Sequence, residues 1–433
     1  MGRVFRTGAA SGHARRQDPD ALRLRGPLCR DPQADRGRAA KPGPALSAAD
    51  GLAGAAVAGH SGRGGQPRNR AASAGPYRGA GRASDAGQGR RSPLFHAGLP
   101  DPDRTGHPRG PGVSALLWGL GALAAAGGAY GAFATREPVV TDVRFDAKQL
   151  DGGIDDWLAE SEAKVPNLRP GAQKQVIWAG APEVQTDWAL VYVHGFSAAP
   201  QEIRPVPDMV AQGLGANLVF TRLKGHGRDG PAMAEATVEG WMEDMAEALA
   251  IGHRIGRRVL LMGCSTGATL ATLALHEAMG EEVSGVILVS PNYKLADPKS
   301  ALITWPGARW WVPWLAGREI GFEPRSAAHG QYWTSRYPSL AVLPMGAAVR
   351  EVHRRRHRDL SVPALFVFDP GDRIVDHGVT RQVAARWGAR ADLHELDLGP
   401  QDDPSRHLVA GDVLSPRMSE PVAGAMLDWA RRL

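Results

Sequence analysis

Residues Arg258 to Ala268 read Arg258-Val259-Leu260-Leu261-Met262-Gly263-Cys264-Ser265-Thr266-Gly267-Ala268. An apolar run of strand length passes, with no loop between, into Gly-x-Ser-x-Gly and then into a helical stretch. A turn that sharp leaves no room for side chains two positions before and after the serine, and Gly263 and Gly267 carry none. It sets the Ser265 hydroxyl above the end of a sheet, at the N-terminus of the following helix. Free backbone N–H groups there stabilise a developing negative charge. The competing reading is a serine that merely caps a helix. A buried strand before the serine and an amphipathic helix after it favour a nucleophile. Cys264 is expected to be a buried packing residue, not a rival nucleophile.

The surrounding pattern supports such a sheet. Strands are predicted at 175–179, 188–194, 217–221, 259–262, 283–289, 364–368 and 391–395, several of them continuously apolar, as for strands covered on both faces. Helices are predicted at 201–213, 237–256, 266–279, 379–387 and 420–433. Strand–helix alternation predicts an α/β fold with a mostly parallel central sheet flanked by helices, over residues 138–433.

A serine nucleophile needs a base, and the base needs an orienting carboxylate, in the chain order Ser, Asp/Glu, His. After the 364–368 strand come Asp369, Asp372 and Asp376. Asp369 sits too close to the strand end and precedes a proline, and Asp376 is placed to cap the next helix. Asp372, past a Pro-Gly turn at the loop tip, is the expected acid. Of the later histidines, His377 is too near the acid loop and His394 lies in a strand. His407, after the last strand and before the final helix, is the expected base. The 188–194 strand ends in His194-Gly195-Phe196. The backbone N–H groups of Phe196 and Thr266 are the expected oxyanion donors, and Gly195 allows close backbone approach. His194 and His226 are read as loop-ordering histidines.

Together these residues resemble the α/β-hydrolase superfamily, nearest the branch of monoacylglycerol lipases, carboxylesterases and serine aminopeptidases. The resemblance covers roughly residues 170–433. It rests on His194-Gly195-Phe196, Gly225-His226-Gly227, Gly263 to Gly267, Gly371-Asp372 and His407 to Asp412, in that order. It implies a Ser265–His407–Asp372 triad, Phe196 and Thr266 as backbone donors, no metal and no organic cofactor. Cys264 and Thr266 depart from the residues many relatives carry, which blurs the substrate more than the chemistry. Where the sheet pattern breaks, at about 291–345, relatives carry a lid (cap). Here the segment holds Trp305, Trp310, Trp311, Trp314, Tyr332, Trp333 and Tyr337, expected mainly to form its own core and partly to face an acyl chain. The basic run 350–358 is expected to be a solvated helix face. The expected activity is hydrolysis of a small-molecule acyl ester through an acyl-enzyme. The alternatives are an aminopeptidase or amidase of the same superfamily and a non-catalytic binding module on the same fold.

Charge distribution removes nucleic acid as a partner. The formal charge of +6 divides into +11 over residues 1–112 and −5 over the rest. The first 112 residues are Arg/Gly/Ala/Pro-rich, contain no tryptophan and are expected to be disordered. Because no methionine separates Met1 from Met209, a natural start near Val113 is also expected, with 1–112 an upstream translation. Residues 113–134 run 22 positions without a charge, long enough for a bilayer-crossing helix. Ala132-Phe133-Ala134 has the small-x-small form of a signal-peptidase site. A signal peptide and an N-terminal membrane anchor are both consistent with this stretch, and either puts the hydrolase domain outside the cytoplasm. Two cysteines, Cys29 and Cys264, exclude a disulfide scaffold. Oligomeric state and acyl length are not legible.

Overall fold

The structure is a computed structural model and describes residues 113–433. The low-complexity segment 1–112 and the expected start near Val113 therefore involve residues outside it. Seven strands form one sheet: β1 (Gln175–Ile177), β2 (Thr186–Val193), β3 (Asn217–Phe220), β4 (Gly256–Cys264), β5 (Val283–Val289), and, after an excursion carrying β6 (Glu319–Gly321) and β7 (Arg336–Pro338), β8 (Ala364–Phe368) and β9 (Ala391–Glu395). Their spatial order is β1-β3-β2-β4-β5-β8-β9, all neighbours parallel except the edge pair β1–β3. The strand ends that carry chemistry thus all point the same way.

The apolar strands are buried on both faces, and alternate residues enter different cores. Along β2, Ala189, Val191 and Val193 join one cluster while Leu190 and Tyr192 join the other. The helices, in chain order, are α1 (Val113–Phe133), α2 (Ile154–Ala163), α3 (Val206–Leu214), α4 (Val238–Ile255), α5 (Thr266–Ala274), α6 (Ala308–Leu315), α7 (Ala327–Tyr332), α8 (Val342–Val352), α9 (His377–Ala384) and α10 (Ser419–Ala430). One core receives α4, α5 and α8; the opposite core receives α3 and α10, which pack against each other.

Strands β5, β8 and β9 occupy their predicted ranges, β4 extends beyond its range at both ends, and β2 starts earlier than predicted and ends one residue short, at Val193. Helices α2, α6, α7 and α8 were not foreseen. α6 has Pro313 inside it and four aromatic or β-branched residues among its eight, so its local preference argues against a helix. The aromatics of the 291–345 excursion are only partly its core. Trp333 and Tyr337 are buried and Trp311 and Tyr332 pack half-buried against the cores, whereas Trp305, Trp310 and Trp314 face solvent, which the sequence did not foresee. The 350–358 run is likewise no uniform solvated face. Arg350 donates to the Glu137 carbonyl, Arg355 reaches Thr141, Glu277 and Glu351, and His357 is buried. These contacts hold the segment that follows α1. Among the described residues no helix is long and apolar enough to cross a membrane.

Candidate active site

The site grows from the turn between β4 and α5. Ser265 takes φ 52° and ψ −114°, a backbone region that an L-residue occupies only under constraint. Its N–H donates to the Val289 carbonyl at 2.8 Å, and its carbonyl accepts from Thr269 and Asn292. The turn closes because its flanks are glycine. A Cβ on Gly263 would lie 2.6 Å from the Gly267 carbonyl oxygen, and one on Gly267 would press into the carbonyls of Val193 and His194. These are backbone contacts that cannot rotate away. Gly267→Ala is therefore expected to cost about 2–3 kcal/mol of stability, read as a lowered Tm, and to remove most turnover.

Across from this turn stand the ends of β8 and β9. His407 Nε2 lies 3.0 Å from Ser265 Oγ, and His407 Nδ1 lies 2.8 Å from Asp372 Oδ2. The other Asp372 oxygen accepts the N–H groups of Ile374 (2.7 Å) and Val375 (3.0 Å), which fixes the carboxylate. The three loop aspartates do separate work. Asp369, fully buried, binds Gly371 and Leu398 N–H and pairs with Arg406, so it ties the acid loop to the residue preceding His407. Asp376 accepts from Gly378 N–H at the start of α9 and pairs with Lys294. His394 lies in β9, and His377 opens α9, with its ring stacked on Phe368.

Burial works against charging the His407 ring, but the Asp372 carboxylate against it, helped by Asp403 and Glu202, raises its pKa above the ordinary 6.5. A base must be neutral to accept a proton. The acid limb of kcat/KM is therefore expected above pH 6.5, with activity falling as pH drops through it, and a pH–rate profile on a soluble ester reads this directly.

On the opposite side of Ser265, a Cβ on Gly195 would come 3.1 Å from Ser265 Cβ, so only glycine lets that strand end approach. The N–H groups of Phe196 and Thr266 have no acceptor among the described residues, and Thr266 opens α5. His194 bridges two loops: its Nε2 accepts from Leu223 N–H and its Nδ1–H donates to the Gly195 carbonyl. His226 packs against it, and burial pushes its pKa down to about 4, so both rings stay neutral.

Three residues of the site were not foreseen. Glu202 is fully buried and accepts Gly195 N–H (2.7 Å) and Tyr192 O–H (3.0 Å), pinning the strand end beside Ser265. Burial pushes its carboxyl up to about 7. Cys264, buried beside it, is held well above the usual thiol range by burial and by that carboxylate. Asp403 accepts the N–H groups of His407, Leu408 and Ser405 and the Ser405 hydroxyl, so it shapes the base loop. His329 of α7 accepts Arg325 N–H on Nδ1, which leaves a proton on Nε2, and that nitrogen is buried without a partner among the described residues. The Pro-Gln-Glu stretch and the Asp402-Asp403 pair carry no sequence pattern that marks such long-range clamps.

A cavity opens above Ser265. Phe196, Leu295, Trp333, Met345, Ile374 and Leu414 give it apolar walls, with Glu202, Asn292, His329 and Asp403 among them. Among the described residues no cluster of His, Cys, Asp or Glu could hold a metal ion. A serine hydroxyl against a neutral imidazole backed by a buried carboxylate can carry out nucleophilic acyl transfer.

The family model described as serine aminopeptidase, S33, matches residues 185–397, a stretch that contains Ser265 and Asp372 and stops short of His407. No curated protein matches the chain. Among solved structures it is similar to one from a study of LipS and LipT, two metagenome-derived lipolytic enzymes (19% identity, TM-score 0.48, covering 61% of this chain and 100% of that one). It is also similar to a monoacylglycerol lipase of Paleococcus ferrophilus (16%, 0.44, 59% and 96%). A third is a soluble variant of monoglyceride lipase from Saccharomyces cerevisiae in complex with a substrate analogue (14%, 0.46, 62% and 95%).

Proposed function

We propose that this chain, a member of the α/β-hydrolase superfamily in the branch of monoacylglycerol lipases, carboxylesterases and serine aminopeptidases, is a serine hydrolase of carboxylic esters. The observation that carries the reading is the relay Ser265 Oγ–His407–Asp372, with links of 3.0 and 2.8 Å at the floor of a largely apolar cavity. Ser265 attacks the acyl carbonyl as His407 Nε2 takes the hydroxyl proton. Asp372 holds the ring in the tautomer that leaves Nε2 free to accept, and stabilises the imidazolium that forms. The oxyanion falls to the N–H groups of Phe196 and Thr266, the latter at the positive end of α5. His407 then protonates the departing alkoxide, and water, activated by the same ring, releases the acid from the acyl-enzyme. No step needs a metal or an organic cofactor.

The peptidase alternative would require a free carboxylate to hold a substrate ammonium. The two acids lining the cavity, Glu202 and Asp403, are both occupied by the protein's own donors. Turnover of p-nitrophenyl acyl esters against aminoacyl arylamides tests the choice. The ester is expected to be the better substrate by kcat/KM, and a preference for the arylamide would overturn it. Esters of graded chain length would then measure how much of the apolar wall an acyl chain covers.

The uncharged stretch 113–134 supports a second proposal, that the domain works outside the cytoplasm, exported or attached to a membrane. Fractionation of the natural host, with N-terminal sequencing of the protein recovered, separates the exported form from the attached one. Recovery in the cytosol would contradict both.

A further inference from the structure

We infer that the face carrying Trp305, Trp310 and Trp314 is a lipid-docking surface that seats the catalytic domain on an anionic bilayer. This goes beyond attachment through 113–134, because it assigns a second contact, on the folded domain, and is independent of the catalytic reading. Trp310 and Trp314 are one helical turn apart on α6 and therefore share a face. They are 66% and 86% exposed, Trp305 just before the helix is 56% exposed, and Leu315 joins them at 49%. The opposite side of α6, Ala308 and Val312, is buried. α6 packs inward through Ala308, Val312 and the half-buried Trp311, so Trp310 and Trp314 are left outside its core contacts.

The apolar face continues into α1. Thr135 accepts the Gly307 N–H at 2.7 Å, and the Tyr130 hydroxyl donates to the Pro306 carbonyl, so the end of α1 is tied to the start of α6. Leu116, Leu117, Trp118, Leu120 and Leu123 of α1 are exposed. At 100° per residue Leu116, Leu120 and Leu123 share one stripe while Leu117 and Trp118 stand about 100° and about 200° away from Leu116, so the exposed apolar residues are not confined to that stripe, and none of the helix's residues is charged. A protein partner, a second copy included, would cover one stripe of such a helix, whereas lipid covers every side.

Charge at the junction names the lipid. Glu137 is taken by Arg309 and Glu319 by Arg336. Arg136, just beyond α1, and Arg318, just beyond α6, are exposed and have no acidic partner among the described residues. An aromatic patch with free guanidinium groups at its edges suits the interface of a bilayer carrying negative headgroups, with indole rings at headgroup depth and cations against phosphate.

Flotation of the full chain with phosphatidylcholine vesicles, with and without phosphatidylglycerol, tests this. The parent should float with both and more strongly with phosphatidylglycerol. Trp310→Ala with Trp314→Ala should lower the partition by about tenfold or more, from the apolar area lost. Turnover of a soluble ester should be unchanged in that variant, which shows that the domain is folded. Arg136→Glu with Arg318→Glu should abolish the preference for phosphatidylglycerol. The assignment is overturned if the tryptophan variant floats as well as the parent, or if the arginine variant keeps the preference. It is also overturned if the parent is a dimer that the tryptophan substitutions dissolve without changing flotation, which would make a second copy the occupant.

Discussion

Ser265→Ala is expected to lower kcat on a soluble acyl ester by about 10⁵-fold with little change in KM, because the substituted residue acts in the bond-forming step and not in binding. The fold should survive. The Ser265 side chain caps nothing in α5, and the backbone bonds that hold the turn, to Val289, Thr269 and Asn292, do not use it. An unchanged Tm with lost turnover separates chemistry from structure. Removing the hydroxyl from a backbone held at φ 52° leaves that strained conformation without its purpose, and no gain in activity can follow. A variant retaining turnover within tenfold of the parent would mean that another group attacks the carbonyl.

Asp372→Asn is expected to cost about 10⁴-fold in kcat, through the tautomer of His407. The asparagine oxygen can still accept the N–H groups of Ile374 and Val375, so the loop keeps its shape. Its NH₂ would then face His407 Nδ1 and donate to it. That forces the ring proton onto Nε2, which points at Ser265 Oγ, and a nitrogen already carrying a proton cannot take another. Loss of the carboxylate should also move the His407 pKa down, since Asp372 is the strongest of the groups raising it. The residual activity of Asp372→Asn should therefore extend to lower pH than the parent's. A parent-like rate with a parent-like acid limb would show that Asp369 or Asp403, and not Asp372, orients the base.

The parts of the site that could be read from the chain are those that depend on local geometry. A strand, two glycines and a helix define the turn at Ser265 within ten residues, and a Cβ on Gly263 or Gly267 would meet backbone where β4 passes into α5. The continuous apolar runs that became β5 and β8 are bounded by loops and have little freedom of register once buried on both faces. Asp372 stood out from Asp369 and Asp376 because the latter two have positions, at a strand end and a helix start, that already engage a carboxylate. Glu202 and Asp403 were invisible for the opposite reason. Each acts by accepting N–H groups brought close only by the folded chain, Gly195 in one case and the His407 loop in the other. The outward Trp310 and Trp314 of α6 were not foreseen because an aromatic-rich segment ordinarily packs inward, whereas here Ala308, Val312 and the half-buried Trp311 make the inward contacts.

The central claim is that one serine, activated by His407 and Asp372, is the nucleophile. Reaction of the full chain with a fluorophosphonate, followed by peptide mass spectrometry, measures this most directly, because a phosphonyl adduct forms only on an activated hydroxyl. A single adduct on Ser265, slowed in Asp372→Asn and absent in Ser265→Ala, is the predicted result. An unlabelled parent, or an adduct that persists on another residue in Ser265→Ala, would contradict it.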